Sequence, residues 1–108
     1  MDRSALEAEW LDLTRRALPA VAGERGWPIR LDHCFMRVLL DHAYQDAWYE
    51  HVGKRPAYKH ASDVALARAV EAGRAALSGE ADLPAMNAAS LRWRGKAGPP
   101  VARARPLR

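Results

Sequence analysis

The chain has 108 residues, the length of one domain and close to the size at which a single hydrophobic core is sufficient. Its single cysteine excludes an internal disulfide and a zinc site built from several cysteines. The formal charge of +4 comes from the C-terminus: six of the 17 basic residues and no acid lie within residues 92–108, which leaves 11 basic residues against 13 acids and a charge of −2 for residues 1–91.

The N-terminal sequence MDRSALEAEW contains acids where a secretory signal would be basic and then apolar. No stretch of about 18 apolar residues occurs anywhere in the chain. We therefore expect a cytoplasmic, soluble protein that has no membrane partner.

The first predicted helix begins at Ser4. Ser4 and Glu7 have the spacing of a capping box, in which each side chain accepts a hydrogen bond from a free backbone N–H at the helix start. Apolar residues then recur at helical spacing, at Leu6, Trp10, Leu13 and Ala17. Pro19 is expected to end or kink this helix near Leu18, because proline lacks the N–H that continues the helical ladder.

The second predicted helix covers residues 31–43 and has Asp32 as its N-cap. Apolar residues lie on more than one of its sides, which predicts a helix surrounded by others. Ser62 should cap a third helix that reaches about Leu77, and Asp82 should cap a fourth that runs to Trp93. Because only a few residues join these last two helices, we expect them to be antiparallel neighbours.

These elements predict an all-α fold, a compact bundle of four or five helices over residues 1–96. Residues 97–108 include two adjacent prolines and have almost nothing to bury, so we expect a flexible, disordered basic tail. The alanine-rich third helix could also pack against a second copy of the chain, which would form a homo-oligomer. The predicted core consists of Leu6, Trp10, Leu13, Phe35, Val38, Leu39, Leu66, Val70, Leu77 and Leu91.

The second helix carries a polar stripe. His33, Arg37 and Asp41 are four residues apart and stack along one helix face. One interpretation is a catalytic or ligand site, in which the histidine exchanges protons, the arginine holds a carboxylate or phosphate, and the aspartate orients either. The other is an intrahelical pair of Arg37 and Asp41 that only stabilises the fold.

Cys34 and the four histidines raise two further possibilities. Cys34 could be a nucleophile, but adjacent helical residues point about 100° apart and His33 is therefore badly placed to deprotonate it. A small buried hydrophobe is the favoured role. The histidines fall nine residues apart, on opposite sides of a continuous helix, which argues against one metal site. We expect neither a metal nor a cofactor.

The segment SLRWRGK at residues 90–96 leads into the basic tail. Its cations could neutralise phosphates, and its tryptophan could stack on a nucleic-acid base. The predicted anion or nucleic-acid contacts are Arg92, Trp93, Arg94, Lys96, Arg103 and Arg105. If the loop GKRPAYKH at residues 53–60 shares a surface with them, the two segments would form one anion-binding rim around the polar stripe.

DHCFMRVLLD together with ASLRWRGK resembles a group of short bacterial proteins, some of them labelled GNAT-like acetyltransferases, over roughly residues 27–96. The resemblance implies acetyl-coenzyme A and an amine acceptor. It also implies a central mixed sheet and a glycine-containing turn for the coenzyme pyrophosphate, and this sequence shows neither. Acetyl transfer is therefore an alternative that the residues themselves do not support.

The leading hypothesis is a small non-enzymatic binding protein that engages an anionic partner, with nucleic acid ahead of an acidic protein surface. The competing hypothesis is a small enzyme or ligand-binding protein that uses His33, Arg37 and Asp41.

Overall fold

The computed structural model describes residues 2–95, and every regular element in that range is helical. The elements are α1 (Arg3–Asp12), a π-helical turn (Leu13–Ala17), α2 (Leu18–Ala22), α3 (Asp32–Tyr44), a 3₁₀ turn (Trp48–Glu50), α4 (Ala57–His60), α5 (Asp63–Ser78) and α6 (Leu83–Trp93). The predicted all-α fold is confirmed. Lys96 and the predicted tail lie outside the described residues. Across 2–95, no helix has the length and apolar character that crossing a bilayer requires.

The first helical segment differs from its prediction at both ends. Asp2 is the N-cap and accepts a hydrogen bond from the Ser4 N–H at 2.9 Å, so the predicted capping box is wrong. Helical structure also continues beyond Leu18, through Pro19 to Ala22. The Leu18 N–H donates to the Leu13 carbonyl five residues earlier, and the wider π turn lets proline enter at the start of α2, where no N–H is needed.

Helix α3 lies at the centre of the molecule, as predicted. It packs against α5, α6, the π turn and the 3₁₀ turn. Phe35, Val38 and Leu39 on this helix have no exposed surface. Leu31, not Asp32, occupies the N-cap position, and the Asp32 carboxylate instead accepts the His33 N–H within the first turn.

Helices α5 and α6 begin and end close to the predicted residues. Ser62 caps α5 by accepting the Ala65 N–H at 3.1 Å, and Gly79 ends it with a left-handed φ of 91°. Asp82 caps α6 in the same way. Each of these two helices packs mainly on α3, and their expected antiparallel pairing stays a prediction. Helix α3 offers apolar residues on several sides and therefore buries both of them.

The core matches most of the prediction. Eight of the ten predicted residues are buried, whereas Leu77 and Leu91 are half-buried. Trp27 and Ile29, in the connection before α3, are buried as well, and the Trp27 ring meets the Phe35 ring edge-on at a centroid distance of 5.8 Å. This connection therefore closes one side of the core.

Candidate functional site

A cleft of about 750 Å³ opens beside α3. Its walls come from α1, the π turn, α3, the segment 48–58 and the end of α6. We call it the arginine cleft, since Arg15, Arg37, Arg55 and Arg94 line it together with His33, and no carboxylate does. Its aromatic lining residues are Trp10, Trp48, Tyr49 and Tyr58.

One face of α3 forms the floor of the arginine cleft. His33, Met36, Arg37 and Leu40 line it, at the spacing that places residues on one side of a helix. The predicted polar stripe therefore borders a cleft at His33 and Arg37. The His33 side chain is 73% exposed and lies 3.6 Å from the Asp32 carboxylate, so it belongs to the solvent-facing edge.

Asp41, the third residue of the stripe, is completely buried behind the cleft wall. Its carboxylate accepts hydrogen bonds from the Trp48 N–H at 2.8 Å and the Ser90 hydroxyl at 2.7 Å. The Arg94 guanidinium donates two more, at 2.7 and 3.1 Å. Asp41 therefore ties the 3₁₀ turn and the end of α6 to α3, and it has no surface left for a substrate.

Arg37 does not form the predicted intrahelical pair with Asp41. Its Nη1 donates to the Ser90 hydroxyl oxygen and its Nη2 to the Asn87 side-chain oxygen, each at 2.7 Å. Ser90 thus links Arg37 to Asp41 through one hydroxyl. The reason is tertiary: α6 packs across α3 and presents Asn87 and Ser90, three residues apart, to the arginine.

Sequence reasoning missed Asn87 and Ser90. Both are buried, and they are the polar pair on the side of α6 that faces α3. Buried polar side chains are nearly always hydrogen-bonded. Two polar residues at helical spacing within an otherwise apolar face were therefore a usable signal for a polar partner on another helix.

Two arginines of the cleft lie against aromatic rings. The Arg55 guanidinium lies 5.1 Å from the centre of a Trp48 ring, and that of Arg94 lies 5.0 Å from the Tyr49 ring centre. A cation–π contact of this kind holds a guanidinium in place without neutralising its charge. The expectation that the loop at 53–60 and the end of α6 share one surface with the polar stripe agrees with this geometry.

The charge of the arginine cleft is strongly positive. Four guanidinium groups line it and no carboxylate does. Buried Asp41 neutralises one of them, through Arg94. None of the ion pairs between residues 2 and 95 uses Arg15, Arg37 or Arg55, so these three positive charges remain uncompensated.

The other predicted contacts of the basic segment are spread out. Arg92 is exposed, and the half-buried Trp93 ring meets the His42 ring edge-on at 5.2 Å, on another side of α3 from the cleft. Burial lowers the pKa of His42 below its ordinary value of 6.5. Lys96, Arg103 and Arg105 lie outside the described residues, and their role stays a prediction.

Cys34 packs half-buried against the core and does not line the arginine cleft. Among residues 2–95, no three side chains of the histidine, cysteine, aspartate and glutamate kind gather as a metal site would require.

No family model, no curated protein and no solved structure matches this chain. The resemblance to GNAT-like acetyltransferases therefore stays a prediction.

Proposed function

We propose that the protein is a non-enzymatic binding protein and that its anionic partner is held in the arginine cleft. The observation that supports this is the lining itself, in which four arginines and one histidine meet without a carboxylate. Concentrating like charges on one concave surface destabilises a protein unless a counter-charge arrives. An anionic partner supplies that counter-charge.

Each arginine is also individually suited to binding an anion. A guanidinium has five N–H donors in a planar fork, which matches the oxygens of a phosphate or carboxylate. Arg37 and Arg94 each use two of these donors on protein acceptors and keep three. Their side chains are thereby positioned before the ligand arrives, so less conformational entropy is lost on binding.

Arg15 and Arg55 complete the arrangement at the edge of the cleft. Both are exposed and neither has an ion-pair partner within the described part of the chain. Their positive charges are therefore available to an incoming anion. Nucleic acid is placed ahead of an acidic protein surface as the partner, because a concave cleft admits a protruding phosphate and base more readily than a flat protein face.

The test is fluorescence anisotropy of labelled anions, namely single-stranded and duplex oligonucleotides and an acidic peptide, titrated with the full chain at two salt concentrations. The variant Arg15→Ala/Arg55→Ala removes two cleft charges that have no ion-pair partner within the described residues. Arg30→Ala/Arg68→Ala removes two exposed charges elsewhere and is the matched control.

We expect the cleft variant to bind at least about tenfold more weakly than the control, because hydrogen bonds to charged groups contribute about 1.5–3 kcal/mol each. Binding should also weaken at the higher salt concentration. Equal losses for both variants would remove the cleft as the binding site. An absence of binding to every anion at low salt would end the proposal.

A further inference from the structure

We propose that the arginine cleft recognises a nucleotide unit, in which arginines hold the phosphate and the base stacks on an aromatic ring of the cleft. This inference rests on the proposed function and names the ligand class of the same site. A base would account for three features of the cleft that the binding of a simple anion does not require.

The first of these features is the density of aromatic rings. The chain has four tryptophans, three tyrosines and one phenylalanine, and four of these eight residues line the arginine cleft. Trp10 is one of the four but has no exposed surface, which leaves Trp48, Tyr49 and Tyr58 as the cleft rings with exposed surface. Aromatic rings in the core are covered by other side chains, as the Phe35 ring is. Tyr49 is instead 47% exposed, and Trp48 is half-buried. Base–aromatic stacking uses rings that are accessible in this way.

The second feature is the way in which cations and rings alternate. Arg94 lies over Tyr49, and Arg55 lies over Trp48. A ring has two faces, so an arginine on one face leaves the other for a planar ligand. Arg94 in addition keeps the three N–H donors that do not bind Asp41. The neighbourhood of Tyr49 and Arg94 therefore offers both a stacking surface and phosphate donors.

The third feature is size. Pockets that bind small molecules have volumes of about 300–1,000 Å³, and the arginine cleft falls within that range. An inorganic phosphate would meet the arginines but leave the aromatic walls uncovered. A base pair within a duplex keeps both its faces stacked on its neighbours and cannot stack on Tyr49. The ligand chemistry is therefore that of a free nucleotide or of an unpaired nucleotide in a single strand.

The experiment compares phosphate ligands with and without a base, and adds an acidic peptide as a competitor of another class. A labelled single-stranded oligonucleotide is bound to the full chain and is then displaced by an unlabelled strand of the same length, by an abasic strand of that length, by the four nucleoside 5′-monophosphates, by ribose 5-phosphate and by an acidic peptide. We expect base-containing ligands to compete about tenfold better than their base-free counterparts. This comparison needs no variant and is therefore independent of folding defects.

Variants of Tyr49 then locate the stacking. We expect Tyr49→Ala to lose about tenfold in affinity for base-containing ligands and to keep its affinity for the abasic strand. Tyr49→Phe retains the ring and should bind as the original protein does. Competition by mononucleotides would identify a free nucleotide as the ligand, and competition by the base-containing strand alone would identify single-stranded nucleic acid.

The outcomes separate this inference from the proposed function. If abasic and base-containing strands compete equally while Arg15→Ala/Arg55→Ala still weakens binding, the nucleotide assignment is overturned and the anion site stands. If the acidic peptide competes best, the partner is a protein and the nucleotide assignment is likewise overturned. If no ligand binds at all, both proposals are lost.

Discussion

Replacing Arg94 by alanine should destabilise the protein strongly, because it leaves the buried Asp41 carboxylate without its counter-charge. Asp41 has no exposed surface, and the Arg94 side chain is only 15% exposed. The pair is joined by two hydrogen bonds, of 2.7 and 3.1 Å. After the substitution, the carboxylate keeps only the Trp48 N–H and the Ser90 hydroxyl as donors.

The magnitude follows from that environment. Removing one partner of a buried ion pair costs about 3–5 kcal/mol, since the remaining charge is uncompensated. Two donors still reach Asp41, and water can enter where the arginine stood, which places the expected loss near the lower end at about 3 kcal/mol. A domain of this size has a free energy of unfolding of about 5–15 kcal/mol. The variant should therefore lose a large part of its stability.

The assay is urea unfolding followed by far-ultraviolet circular dichroism. With a slope of about 1–3 kcal/mol per molar urea, the unfolding midpoint should fall by about 1 M or more. Arg92→Ala removes the same side chain two residues earlier, from an exposed position on α6. This control should change the free energy of unfolding by less than about 0.5 kcal/mol.

Similar midpoints for the two variants would refute this reasoning, because Arg94 would then not stabilise a buried charge. A more specific check is Arg94→Ala combined with Asp41→Asn. We expect the second substitution to recover part of the loss, because it removes the uncompensated charge while the amide oxygen still accepts the Trp48 N–H. A further fall of the size seen for Asp41→Asn alone would show that the two residues are independent.

Three other predictions concern stability. Burial lowers the pKa of His42 below its ordinary 6.5, so as the pH falls the unfolded chain takes up this proton before the folded protein does. The free energy of unfolding should therefore fall as the pH drops through about 6.5. His42→Phe should make the urea midpoints between about pH 7.5 and 5.5 depend less on pH. Gly73→Ala would place a Cβ 3.1 Å from a Leu39 methyl and 3.2 Å from a Leu13 methyl, both in the core. Overpacking of about 1–3 kcal/mol should exceed the gain of about 1 kcal/mol in helix propensity, and a raised thermal midpoint would contradict this. Ser62→Ala removes the N-cap of α5 and should cost about 1 kcal/mol in thermal or urea unfolding, whereas Ser62→Asp should keep most of the stability.

Local chemistry explains which elements could be predicted from the sequence. Ser62 and Gly79 bound α5, and Asp82 caps α6, because a cap needs only a side chain or a left-handed residue within a few positions. The same reasoning failed at the first helix, where Asp2 and Ser4 both have capping side chains and the earlier residue is the one used. The helix does not end at Pro19, because a π turn precedes the proline.

The polar stripe shows where prediction from the sequence ends. Its spacing correctly placed His33 and Arg37 on one face of α3. The partner of Asp41 was expected four residues away and is Arg94, which is 53 residues away. A buried carboxylate is stabilised by whichever cation the packing brings closest, and local spacing does not contain that information.

The sequence by itself determined the helical class, most of the core and the ends of α5 and α6, because these depend on the periodicity of apolar residues and on short-range capping. Only the tertiary structure decided that α5 and α6 both pack on α3 and that arginines from four separate segments meet in one cleft. Helix packing is set by the shapes of surfaces that are distant in the chain. The positive charge of the cleft, on which the proposed function rests, is a product of that packing.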